Sequence, residues 1–206
     1  MAVCVGTSLA IIVPTSLQSF LNHRARGAVD MELLRSFVLP VPIGVVCASI
    51  ITAYISGAGL RIIFAVIAFV LALKLLFARE NWRFGSDLPT GPWRAFTGWI
   101  IGFFSTFMGI GGGIMNNTFM TLFGRSMHQA VATSAGVGVL ISIPGALGYV
   151  WAGWGKAGLP ALSLGFVNFM AIVTIIPLTL LVTPLGVRLA HALSRRQLEI
   201  AFGLFL

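Results

Sequence analysis

Residues 98–117 read GWIIGFFSTFMGIGGGIMNN, an uncharged stretch in which three consecutive glycines, Gly111, Gly112 and Gly113, stand inside an apolar run of membrane-span length. Each glycine in a helix interior costs about 1 kcal/mol relative to alanine, so a run of three marks a place with a special requirement. One such requirement is a broken helix. Its freed N–H groups, with the positive end of the half-helix that follows, attract an anion at mid-membrane depth. Close packing is another, because Gly98 with Gly102 and Gly109 with Gly113 have the small-xxx-small spacing that lets helices approach. The two are compatible.

Outside this stretch the chain reads the same way. Hydrophobic residues make up 58% of 206 positions and charged residues 9%, with a mean hydropathy of +1.00, whereas a soluble domain carries roughly 25% charge. The bilayer is therefore the solvent, and the predicted class is an all-α integral membrane protein. Apolar spans fall at roughly 2–21, 36–56, 60–78, 95–114, 128–150, 168–193 and 197–206, the last too short to cross; this gives about seven membrane helices. The net charge of +8 comes from basic residues lying almost wholly between spans, which favours membrane topology over nucleic-acid binding. With 22–35, 79–94 and 151–167 placed on one side, that side carries the larger share of Lys and Arg and is expected to be cytoplasmic.

The polar stretch 79–94 (RENWRFGSDLPTGPWR) divides the chain into 1–78 and 95–206. Thr7-Ser8 and Thr133-Ser134 stand at one offset, on which His23 also falls on Tyr149 and Gly27 on Gly153; further on, SGAGLRIIF (56–64) resembles SRRQLEIAF (194–202) after an insertion of about a dozen residues. The expectation is two copies of one unit. The first lacks a glycine-rich opening helix and the second stops early, as if both ends were cut from a four-plus-four parent of eight spans. A unit of four full spans makes the copies parallel; a re-entrant glycine hairpin makes them inverted.

Candidate ligands are few. Asn116, three residues past the last glycine, offers amide donors to an oxyanion, or merely caps the broken helix. Thr133-Ser134 and Thr7-Ser8 are hydroxyl pairs repeated in both halves, although hydroxyls within spans more often bond back to a helix carbonyl. His23, beside Arg24 and Arg26, is a candidate proton-linked group, set against the commoner case of a loop histidine. No Asp, Glu, Lys or Arg falls in the middle of a complete span. A cation would find no charged partner there, while an anion can be held by N–H groups and hydroxyls. No enzyme motif is present, and Ser134 with His128 point to different faces of one expected helix. No catalytic residue, metal ligand or cofactor is assigned.

The FSTFMGIGGGIM segment followed by AVATSAGVGVLISIPGALGYV resembles the second repeat of the sulfite exporter TauE/SafE family, and VGTSLAIIVPTSLQSFLNHRARGAVD resembles its first. The resemblance implies a multi-pass permease of the bacterial inner membrane moving sulfite or related organic sulfur anions, typically outward. Its glycine segment maps to Gly109 through Gly113 and its hydroxyl stretch to Ala132, Thr133 and Ser134. Where that family often has a proline a few residues past the glycines, this chain has Asn116-Asn117. The expected partners are a small anion and the lipid bilayer, without nucleic acid, and a homo-oligomer is left open. The expected mechanism is alternating access around Gly111, Gly112, Gly113, Asn116, Thr133, Ser134, Thr7 and Ser8. The alternatives are a non-transporting membrane subunit and a passive anion channel.

Overall fold

The computed structural model describes residues 1–77, 85, 87–192, 197 and 204. The long apolar stretches form helices throughout: α1 (Ala2–Ala25), α2 (Met31–Phe37), α3 (Pro40–Tyr54), α4 (Gly57–Phe77), α5 (Pro92–Met108), α6 (Gly113–Leu122), α7 (Met127–Ala152) and α8 (Phe169–Ala192). The α7–α8 connection holds a small antiparallel hairpin, β1 (Ser163–Leu164) with β2 (Val167–Asn168). By length and composition α1 and α7 can each cross a bilayer, and α2 with α3 makes a third candidate span bent by 41°. Pro40 opens α3 within its first turn, where a missing N–H costs nothing. The fold is that of an all-α membrane protein, and the expected short span 197–206 and the SRRQLEIAF segment lie outside the described residues, apart from Gln197 and Leu204.

At the centre α1 and α7 pack along their length in opposite directions. Gly136 sits against Phe20, Gly138 against Ser16, Gly145 against Leu9, and Tyr149 against Gly6. Small residues on one helix receive larger ones from the other, which is how two helices come close without a hydrophobic drive to push them together. Helix α3 runs parallel to α7, with Gly145 against Val45 and Gly148 against Ser49. Helix α5 in turn follows α3 in the same direction: Gly98 meets Phe37, and Gly102 lies so near the Val41 carbonyl that any side chain there would collide with backbone.

Helix α6 runs back. Its start at Gly112 lies by Ile141, whereas Asn116 lies by Ser134, so it is antiparallel to α7. The segment expected as a span over 95–114 therefore does not cross. It enters from one end, turns at Gly109–Gly112 beside Gly138 near the middle of α7, and returns to the same end. The ends confirm this, because Arg94 at the start of α5 pairs with Glu32 at 2.9 Å while Arg125, just after α6, lies 3.8 Å from Asp30.

The antiparallel arrangement corrects the expected sidedness of the loops. Residues 22–35 and Arg125 share one end of the bundle, whereas 151–167 lies at the other, where Lys156 Nζ donates to the Ala53 carbonyl. Among the described residues, Arg24, Arg26, Arg35, Arg94 and Arg125 gather at the first end, against Arg61 and Lys156 at the second. Within 79–94, Leu88 is buried in the main core, which draws on Leu9, Phe37 and Val45 from one half and Ile101, Met120 and Ile141 from the other. Helices α4 and α8 flank this centre and turn large apolar side chains outward, Phe69 and Leu181 among them. That is the surface lipid requires.

Candidate functional site

The glycine run does break the helix, and backbone geometry gives the reason. Gly109 ends α5 at φ +64°, Gly111 has φ +67°, and Gly112 opens α6 at φ +75°, all in the left-handed region where a Cβ is penalised. Gly112 carries no side-chain cap for α6. The first N–H groups of that half-helix have no carbonyl a turn behind them; the helical ladder begins with Asn116 N–H to the Gly112 carbonyl at 2.9 Å. Gly113 itself has helical geometry, and a Cβ built on it would meet nothing within 4 Å. Positive φ and crowding explain the other glycines of the break; empty space lies in front of Gly113.

The break is wedged between the two central helices. Gly109 faces Val5 and Ser8 of α1, and the Ser8 hydroxyl donates to the Gly109 carbonyl at 2.8 Å. Gly111 faces Ile12 of α1 and Gly138 of α7. Beside it lies a narrow crevice of about 10 Å³ lined by Leu71, Ser105, Met108, Ile110, Gly112, Ile114 and Met115.

One turn into α6 a buried polar chain begins. Asn116 Nδ2 donates to Ser134 Oγ at 2.7 Å, and Ser134 Oγ donates to Asn117 Oδ1 at 2.6 Å. Asn116 is fully buried, and its Oδ1 has no hydrogen-bond partner among the described residues. Ser142 Oγ, two turns further along α7, is likewise buried and without a partner among the described residues. Such atoms are uncommon in folded proteins, since leaving one unsatisfied costs roughly 1–3 kcal/mol.

The threonines serve differently. Thr133 Oγ1 accepts the backbone N–H of Asp30, whose carboxylate caps α2 by accepting from Leu33 N–H. Thr7 Oγ1 accepts the backbone N–H of Asn168, whose side-chain oxygen accepts from Ala171 N–H at the start of α8. Each central helix thus holds the N-terminal cap of a helix from the other half. Asn168 was not among the candidates read from sequence, yet a signal for it existed: the register that lays Leu60 on Leu198 also lays Asp30 on Asn168.

The structure therefore gathers Gly111, Gly112, Gly113, Asn116 and Ser134, together with Ser8 at the break, and sets Thr7 and Thr133 on helix caps beside them. It does not bring in His23. That residue lies in the last turn of α1, roughly 16 Å along the helix from Ile12 at 1.5 Å per residue.

A family model described as Sulfite exporter TauE/SafE matches residues 1–206. The chain is 28% identical over 206 residues to a probable membrane transporter protein of Haemophilus influenzae, an alignment that covers 100% of this chain and 78% of that relative. No solved structure matches.

Proposed function

This chain belongs to the sulfite exporter TauE/SafE family and is a membrane transport protein; we propose that it is a secondary permease that moves small sulfur-containing anions, sulfite or organosulfonates, across the bacterial inner membrane. The supporting observation is the re-entrant break: uncapped N–H groups at the start of α6, empty space before Gly113, and a buried amide–hydroxyl chain one turn away. Backbone N–H groups and a half-helix dipole hold an anion without a buried cation.

In this reading Gly111, Gly112, Gly113, Asn116 and Ser134 bind the anion. Thr7, Thr133 and Ser8 position the elements around it through the cap and carbonyl contacts described above. The two halves are inverted copies, as the antiparallel α1 and α7 and the matched Thr133–Asp30 and Thr7–Asn168 contacts suggest. Inverted units exchange places when a carrier alternates its opening, and the narrow crevice beside the break belongs to one stage of such a cycle. The arginine-rich end, with Arg24, Arg26, Arg35, Arg94 and Arg125, is the cytoplasmic one.

The test is flux of labelled sulfite into liposomes containing the purified chain, with Asn116→Ala and Ser134→Ala beside the parent. Saturable flux in the parent and a loss of roughly tenfold or more in both variants is expected. Unchanged flux in both variants would remove this site. Flux that never saturates points to a channel, and none in a well-folded parent points to a non-transporting subunit.

A further inference from the structure

The unpartnered atom at the proposed site is an acceptor, which is the opposite of what a bare anion needs. Ser134 Oγ donates to Asn117 Oδ1 and accepts from Asn116 Nδ2. The same nitrogen also lies 3.5 Å from Met120 Sδ. Both contacts engage the nitrogen side of the amide, and Oδ1 is buried with no hydrogen-bond partner among the described residues. A carbonyl oxygen repels a fully ionised oxyanion and attracts one that carries a hydrogen.

We infer that Asn116 Oδ1 reads a proton on the substrate, so that the site takes a singly protonated oxyanion. Hydrogensulfite fits, with oxygens for the uncapped N–H groups of α6 and one hydrogen for Asn116. The sulfite dianion and organosulfonates without a donor do not fit. This rests on the permease reading above and narrows it, because it separates two substrates that share charge and shape. Methanesulfonate has the single charge and the oxygens of hydrogensulfite, but a methyl group in place of the hydrogen. Bound there, it leaves the oxygen of the fully buried Asn116 unsatisfied.

The experiment is exchange of labelled sulfite in liposomes holding the full chain, with equal pH inside and outside so that no proton gradient contributes. At a pH below the second ionisation of sulfurous acid, methanesulfonate is expected to compete on the order of tenfold to a hundredfold less well than unlabelled sulfite. With total sulfite held below saturation, exchange should fall roughly tenfold per pH unit above that ionisation, following the protonated species. Asn116→Leu, which removes the acceptor, should bring methanesulfonate and sulfite to within roughly threefold of each other, even at a reduced overall rate. Equal competition in the parent, or exchange that follows the dianion, overturns the inference while leaving the permease standing. Absence of any sulfite exchange by the folded parent overturns both. If Asn116→Leu does not fold, competition in the parent alone still decides.

Discussion

The hydroxyl of Thr133 accepts the backbone N–H of Asp30 at 2.9 Å, joining the second turn of α7 to the N-terminal cap of α2 across 103 positions of sequence. Its counterpart joins Thr7 to Asn168 at 2.9 Å across 161 positions. In both cases a cap residue uses its side chain to start its own helix and its backbone to reach a helix of the other half. Each N–H is an orphan donor that would otherwise be left inside an apolar bundle, and a single hydroxyl satisfies it.

Thr133→Val keeps the shape of the side chain and removes the acceptor. It should destabilise the protein by about 1–3 kcal/mol, with Thr7→Val similar and Thr→Ser at either position close to the parent. Thermal unfolding in detergent measures this. A Thr133→Val melting curve that overlays the parent would show that the tether carries no stability.

The glycines of the break should separate by substitution. Gly112→Ala places a methyl group at positive φ and against Ile141 Cδ1, and should cost more than about 2 kcal/mol. Gly113→Ala meets open space in helical geometry and should leave stability unchanged or raise it slightly. Its methyl group would instead occupy the space assigned to the anion, so sulfite flux should fall while the melting temperature holds. Normal flux in a stable Gly113→Ala protein would count against that assignment.

Loop sidedness offers a test free of any assumption about substrate. In a Cys4→Ser/Cys47→Ser background, Ala25→Cys at the end of α1 and Ala157→Cys after α7 should react with an impermeant thiol reagent from opposite sides of the membrane. Labelling of both from the same side would refute the antiparallel packing of α1 and α7.

Tyr149 is the largest fully buried side chain of the bundle; its hydroxyl accepts from Thr52 at 3.3 Å and donates to the Thr106 carbonyl at 3.4 Å. It ties α3, α5 and α7 together just beyond the break. Tyr149→Phe leaves the ring in place and should cost about 1 kcal/mol, whereas Tyr149→Ala opens a cavity and should cost about 3–5 kcal/mol. Denaturation of the two variants side by side checks the ranking; equal losses would assign the whole effect to the hydroxyl.

Composition and patterning were enough to fix the solvent, the helical class and the place where one helix breaks. These follow from local terms: apolar length decides what spans a bilayer, and consecutive glycines decide where a helix stops. Asn116 and Ser134 were legible as candidates because polar residues are conspicuous in an apolar segment, although the hydrogen bond between them, 18 positions apart, was not. What only the tertiary structure decided was direction and pairing. Whether 95–114 crosses or turns back depends on whether α6 packs antiparallel to α7, and the positions of the 22–35 and 151–167 loops follow from the same choice. The physical reason is that apolar content is the same for a helix running either way, so hydropathy carries no direction; direction appears only when small residues such as Gly136, Gly138 and Gly145 meet their particular partners on another helix.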